Sequence, residues 1–238
     1  MTLANTLADA RAAWRRGFTP EQIRTMDYAA QWLDLSGVEA GALRDGELTP
    51  EFTLADATGR VVRLSDRLDR GPVVLTFACG RWCPLCATVL AAYAPLAPVV
   101  VEAGGTLLAI SPEQAQRDLS TAGMAAQRLT CLSDPGAKVC RLFGLRYPVP
   151  GPLQAVYRAR GIDLAACNGD QEAFLPIPAT YVVGCTGLVA AAFIAPDHRD
   201  FAEPEAIVAA VRALTKSVRA NISAFARGSL KMVPRSAA

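Results

Sequence analysis

The chain has one histidine, His198, in 238 residues. Ser-His-Asp and Cys-His triads each need an imidazole base, so any such triad would rest on that residue. Zinc and non-haem iron sites built from several histidines are excluded. His198 lies in a polar stretch, Pro196 to Asp200, and reads as an exposed loop residue. Lysine is also scarce: 3 Lys stand beside 21 Arg, scattered among the acids, for a net charge of +2. No basic block exists, so no nucleic-acid partner is expected. There is no G-x-G-x-x-G and no phosphate-binding loop, and no organic cofactor or metal is expected. The first residues, MTLANTLADARAAWRRG, lack the apolar centre of a signal peptide.

What is abundant is apolar: 52% hydrophobic residues against 19% charged, enough for a sizeable core. Trp82 to Val101 runs for twenty residues without a charge, the length of a membrane span. Pro84, Pro95 and Pro98 interrupt it, and a proline-bent buried core helix with no membrane partner is the better reading. Seven cysteines, at 79, 83, 86, 131, 140, 167 and 185, are an odd number for a secreted disulfide framework. A reducing cytoplasm is the expected compartment.

Along the chain, Leu3, Leu7, Ala10 and Trp14 recur at helical spacing. Thr19-Pro20-Glu21-Gln22 is a capping box opening a second helix. Residues 1–47 therefore read as an N-terminal helical extension, 48–227 as the main domain and 228–238 as a flexible tail. Short strands are expected at Phe52 to Leu54 and Val61 to Leu64. Val73 to Phe77 reads as a strand covered on both faces. A helix follows from Pro84 to about Ala103, a strand at Thr106 to Ile110 and a helix from Ser111 to about Ala126. Beyond these come a strand at Leu129 to Leu132 and a helix at Gly136 to Phe143. Residues 144–176 read as loop with one helical turn near Leu153 to Arg160. Thr180 to Ile194 reads as a β-hairpin, and Pro204 opens a last helix. Strand–helix alternation with a terminal hairpin implies an α/β fold with a mixed sheet between helices.

The chemistry is concentrated in Thr76-Phe77-Ala78-Cys79-Gly80-Arg81-Trp82-Cys83-Pro84-Leu85-Cys86. With Pro84 at the first helical position, Cys83 is the N-cap and Cys86 the third residue, so both sulfurs lie on one face. Unpaired N–H groups and the helix dipole stabilise a thiolate there, with Arg81 adding to the effect, and a lowered thiol pKa is expected. This supplies a nucleophile without imidazole. Half of a zinc site needs a second cysteine pair, and none exists. C-x3-C-x2-C, counted from Cys79, has the spacing of an iron–sulfur cluster of radical enzymes, but too few strand–helix units follow for their barrel. Two inert buried cysteines would show plainer apolar periodicity. A Cys-X-X-Cys after a strand in an α/β pattern points to thioredoxin-like redox chemistry.

GPVVLTFACGRWCPLC (71–86), EFTLADATGRVVRLSD (51–66), LLAISPE (107–113), LSDPGAKVCRLFGLRY (132–147), GIDLAACNGD (161–170) and LPIPATYVVGCTG (175–187) resemble the peroxiredoxin-like (alkyl hydroperoxide reductase/thiol-specific antioxidant) family of the thioredoxin superfamily. The resemblance covers about residues 48–212. It implies a thioredoxin-like mixed sheet flanked by helices and a peroxide or disulfide as substrate. It also implies a thioredoxin- or glutathione-type reductant and, with the extra helices, a homodimer. Cys83 and Cys86 are the implied catalytic pair, with Trp82, Arg81, Pro178, Thr180 and Arg199 in support. Pro178 corresponds to the cis-proline facing the redox centre. Cys86 corresponds to the peroxide-attacking cysteine and Cys83 to the thioredoxin-type attacker, and the choice between them stays open. Cys79 stands where the family has proline or arginine, Cys83 where it has threonine and Arg81 where it has glycine. Arg199 and Arg141 are candidates for the missing arginine. Hydroperoxide reduction, thiol–disulfide exchange and a non-catalytic redox-sensing module are the three functions this pattern allows.

Overall fold

A computed structural model describes residues 2–114, 129–169, 172–196 and 201–226. The helix expected from Ser111 does not open there, since Ser111 closes a strand and Gln114 donates its N–H to Cys167; the rest of that expected helix, His198, Arg199 and the tail from 228 lie outside the described residues. Two helices, α1 (Leu3–Arg15) and α2 (Pro20–Leu35), come first. Thr19 caps α2 in the expected reciprocal box with Gln22. The strands are β1 (Thr53–Asp56), β2 (Val61–Arg63), β3 (Val73–Phe77), β4 (Thr106–Ser111) and β5 (Thr130–Ser133), with the hairpin β8 (Ala179–Val183) and β9 (Val189–Ile194). They form one sheet in the order β2-β1-β5-β4-β3-β8-β9. β3 lies parallel to β4 and antiparallel to β8, which makes the sheet mixed as the alternation predicts.

Every residue of β3 is buried, and its alternation sorts two cores onto two faces. Val74 points into one core with Val89 and Tyr93 of α4 (Pro84–Tyr93), Val100 of α5 (Ala97–Glu102) and Leu3 and Leu7 of α1. Ile207 and Val211 of the last helix, α9 (Pro204–Ala226), close that layer. Val73, Leu75 and Phe77 point into the other, with Phe143, Tyr181, and Ala29 and Leu33 of α2. The leader is thus split: α1 covers one face of the sheet and α2 the other. Glu203 ties α1 to the end of the chain by accepting the N–H groups of Leu3 and Ala4, at 2.9 and 3.0 Å.

Two expectations need correction. Residues 144–176 are more ordered than a loop. Besides the expected helical turn, which is α7 (Gly151–Arg158), they hold β6 (Arg146–Pro148) paired with β7 (Phe174–Pro176), and α8 (Leu164–Asn168). Three-residue strands whose partners lie far away in sequence leave no local periodicity to read, and Asp163, which caps α8, was the one available signal. Short helices α3 (Leu64–Leu68) and α6 (Lys138–Leu142) complete the set; the first replaces the end of an expected strand. The second correction concerns the apolar run. Pro84–Glu102 is long and apolar enough to cross a membrane by length and composition, with mean hydropathy 1.8. Its inner face is buried, but Ala87, Ala91, Pro95, Pro98 and Val101 are exposed, since α1 and α9 cover it only in part. A 3₁₀ turn, Ala94–Leu96, joins α4 to α5 at Pro95.

Burial pushes the Tyr93 hydroxyl up to about 12 and raises that of Tyr181 as well. An acid whose pKa is raised by folding stabilises the fold below its unfolded value, near 10, and loses that contribution as pH rises through the folded value. Denaturant unfolding is expected to show stability beginning to fall above about pH 9, where the thiols that folding holds up, Cys79, Cys86 and Cys140, ionise first in the unfolded chain. Stability then falls between pH 10 and 12, by about 2–3 kcal/mol from Tyr93 alone. Stability that stays level from pH 10 to 12 would contradict this.

Candidate active site

β3 ends at Phe77, and Ala78 extends its pairing by donating its N–H to Ile110 at 2.9 Å. The chain then turns through Gly80 into α4. The site therefore sits at the carboxyl ends of the parallel strands β3 and β4, where open α/β sheets leave room for a ligand. Cys83 is the N-cap of α4 and Pro84 the first helical residue, as the spacing predicts. The Cys83 sulfur accepts the N–H of Cys86 at 3.5 Å, and the Cys86 sulfur accepts the N–H of Cys79 at 3.3 Å. All seven cysteines are free thiols.

A third sulfur joins the expected pair. The Cys79 thiol makes hydrogen bonds to those of Cys83 and Cys86, and it approaches the carbonyl oxygen of Pro176 at 4.0 Å. Exposure grades the three: 8% for Cys83, 2% for Cys79 and 0% for Cys86. Among the described residues no group of Cys, His, Asp or Glu is arranged to hold a metal ion.

The electrostatics correct one expectation. At Cys86 the hydrogen bond from Cys79 favours the thiolate, but the Cys83 thiol, burial and the charge of Cys83 outweigh it and hold the pKa well above the ordinary thiol value. Hydrogen bonds to Cys83 and Cys86, with burial, hold Cys79 up in the same way. The helix terminus acts on a thiol already withdrawn from water, and the Cys83 thiol and desolvation together win there. Arg81 is tied to the end of the turn, its backbone N–H and Nε both donating to Glu113 Oε2, at 2.9 and 3.3 Å.

The other expected residues distribute unevenly. Trp82 stands beside the pair, edge-on to Tyr157 at 5.3 Å between ring centroids, with its indole N–H buried and unpartnered. Pro178 is buried, but the peptide bonds of the described residues are all trans, which overturns the cis-proline. Trans is the lower-energy isomer by about 0.5–1 kcal/mol, and the extended run leaves Ile177 N–H on Leu145 and Pro178 O on Ala195. The carbonyl that meets a thiol is that of Pro176. Thr180 bonds to Thr76 at 3.1 Å on the α4 side of the sheet, beneath the helix. Arg141 is exposed on α6 and does not line the cavity described next.

That cavity, of about 130 Å³, opens over Cys83 and Cys79. Trp14, Met26, Ala30 and Leu33 of the leader helices form one wall, and Tyr147, Leu153 and Tyr157 the other. Burial pushes the hydroxyls of Tyr147 and Tyr157 well up, and the neighbouring cysteines add to it, so both remain protonated donors. Sequence reasoning missed these two tyrosines. Tyr147 lies on β6, inside the stretch read as loop, and a lone tyrosine carries no motif.

A profile described as the AhpC/TSA family matches residues 46–192. A Mycobacterium tuberculosis protein named a peroxiredoxin is 29% identical over 116 residues, 49% of this chain and 75% of its own. The chloroplastic peroxiredoxin Q of Triticum aestivum is 30% identical over 118 residues, 50% of this chain and 54% of its own. Among solved structures, the peroxidoxin BcpB of Mycobacterium tuberculosis aligns with a TM-score of 0.55 at 22% identity, over 72% of this chain and 98% of that one. Prx3 of Vibrio vulnificus, reduced and in complex with hydrogen peroxide, gives 0.54 at 19% identity, over 71% and 99%. These likenesses establish the thioredoxin-like fold.

Gly80 has φ +142°, and a Cβ there would stand 2.8 Å from Trp82 Nε1. Gly80→Ala is expected to cost about 1–3 kcal/mol and to displace the indole. Denaturant unfolding and tryptophan emission check this; an unchanged midpoint and spectrum would contradict it.

Proposed function

The chain belongs to the AhpC/TSA family and is a thiol-dependent redox enzyme that acts on peroxide, and within that frame we propose that Cys83 is the attacking thiol and Cys86 the resolving one. The observation that supports this is the cavity: Cys83 lines it, while Cys86 does not and is fully buried. Attack needs the peroxide oxygen within about 3–3.5 Å of the sulfur, and only an accessible sulfur offers that approach. The N-cap position places the Cys86 N–H on the Cys83 sulfur, where it favours the thiolate.

The steps balance as follows. The Cys83 thiolate attacks the terminal oxygen of RO–OH; the O–O bond breaks, giving Cys83–S–OH and RO⁻, which takes up a proton. Tyr147 and Tyr157, which line the cavity as neutral phenols, are the proposed donors to the departing oxygen. The Cys86 thiol then attacks the Cys83 sulfur and releases water, leaving a Cys83–Cys86 disulfide. An external dithiol or glutathione-type thiol restores the pair by exchange. A cytoplasmic location and a homodimer belong to the same proposal. The seven free thiols support the first, and the exposed Tyr28, Trp32 and Leu35 on α2 support the second.

The cavity also bears on the substrate. Hydrogen peroxide is little larger than water, whose share of liquid volume is about 30 Å³. An engineered apolar cavity of about 150 Å³ takes up benzene. A pocket of about 130 Å³ walled by Trp14, Met26 and Leu33 therefore suits a hydroperoxide with a ring-sized apolar arm.

Rapid mixing of the reduced protein with cumene hydroperoxide and with hydrogen peroxide, followed by tryptophan emission, tests both points. Rates several orders of magnitude above free cysteine are expected, with Cys83→Ser abolishing the reaction. Ala30→Phe, which fills the cavity, should lower the cumene-to-hydrogen-peroxide rate ratio about tenfold. A rate like that of free cysteine would overturn the peroxidase assignment for this site and leave disulfide exchange. Full reactivity in Cys83→Ser, lost in Cys86→Ser, would reverse the two roles.

A further inference from the structure

The proposed cycle uses two sulfurs, and the site holds three in mutual contact. Cys79 leaves β3 one residue past Ala78, and its side chain is held between the other two thiols and the carbonyl of Pro176. It shares the cavity lining with Cys83. Its backbone contributes too, since the Cys79 N–H holds the Cys86 sulfur at 3.3 Å. The resemblance places a proline or an arginine here; proline has no N–H to give, and neither carries a thiol. A cysteine at this position therefore supplies both a donor to Cys86 and a third thiol to Cys83.

We propose that Cys79 is a second resolving thiol, which condenses with oxidised Cys83 in competition with Cys86. This inference rests on Cys83 as the attacking residue. The step is Cys83–S–OH plus Cys79–SH giving a Cys79–Cys83 disulfide and water: one S–S bond forms, the S–O bond breaks, and the thiol proton leaves with the hydroxyl. Exchange then links the two oxidised forms. The Cys86 thiolate attacks the Cys83 sulfur, the Cys79–Cys83 bond breaks, and Cys79 takes the proton that Cys86 gave up, with no net redox change. The consequence is protective. A sulfenic acid flanked by two thiols is captured before a second peroxide carries it to the irreversible sulfinic acid.

Full-length Cys86→Ser, Cys79→Ser and the double variant are each treated with one equivalent of cumene hydroperoxide, then with dimedone, which labels sulfenic acid, and mapped by peptide mass spectrometry. Cys86→Ser should give a Cys79–Cys83 disulfide and little dimedone adduct, while the double variant should be labelled at Cys83. With excess peroxide, Cys79→Ser should accumulate sulfinic acid at Cys83 at least threefold faster than the unmodified protein. Dimedone label on Cys83 of Cys86→Ser, with no Cys79–Cys83 disulfide, would overturn the proposal. Diamide, which joins neighbouring thiols without peroxide, separates the two failures. If peroxide leaves Cys83 untouched in every variant, the peroxidase assignment falls. A diamide-formed Cys79–Cys83 disulfide in Cys86→Ser then still supports Cys79 as partner of Cys83, and its absence overturns that role. Cys79→Ala replaces Cys79→Ser where the buried hydroxyl prevents folding.

Discussion

The start of α4 is the constraint on which the site depends. A helix leaves its first N–H groups without intrahelical partners, and here three sulfurs meet at that end. Cys83 caps the helix, Cys86 sits one turn in, and the strand end brings Cys79 against both. The arrangement holds because β3 is buried on both faces by apolar residues and because Gly80 turns with a positive φ that leaves room for the Trp82 indole. Glu113, at the end of β4, fixes the same turn by accepting from Arg81 twice. Sheet, turn and helix terminus thus converge on one small volume.

Burial in that volume has two opposed effects. It raises the pKa of Cys86 and Cys79, which keeps these thiols protonated at rest. It also packs them against the most accessible sulfur, so that oxidation of Cys83 is answered within contact distance. A resolving thiol gains more from proximity than from acidity, because the intramolecular partner is always present. The leader helices serve the same end: α2 contributes Ala30 and Leu33 to the cavity and α1 contributes Trp14, while Leu3 and Leu33 anchor the two helices in opposite cores. The family match begins at residue 46, so this wall lies outside the matched region.

Most of the fold was legible where a local rule applied. The apolar run Val73 to Phe77, the capping box at Thr19 and the Pro84 start of α4 each carry their signal within a few residues. β6 and β7 were not legible, because Tyr147 pairs with Leu175 and nothing near either residue says so. The cysteine pair could be read, but the acidity of Cys86 could not, since the contact with the Cys83 thiol and burial outweigh the groups that favour its thiolate. Cys79 was visible as a departure from the family pattern, yet its contact with both other thiols depends on the turn at Gly80. The pairing of Arg81 with Glu113 likewise depends on tertiary neighbours.

The central claim is that the three sulfurs at the start of α4 form one redox unit. Its most direct measurement is thiol counting and disulfide mapping on the unmodified protein after one equivalent of hydroperoxide. The account predicts that two of the seven thiols disappear, that the resulting disulfide joins Cys83 to Cys86 or to Cys79, and that Cys131, Cys140, Cys167 and Cys185 remain free. Seven thiols surviving, or a disulfide drawn from the other four, would contradict it.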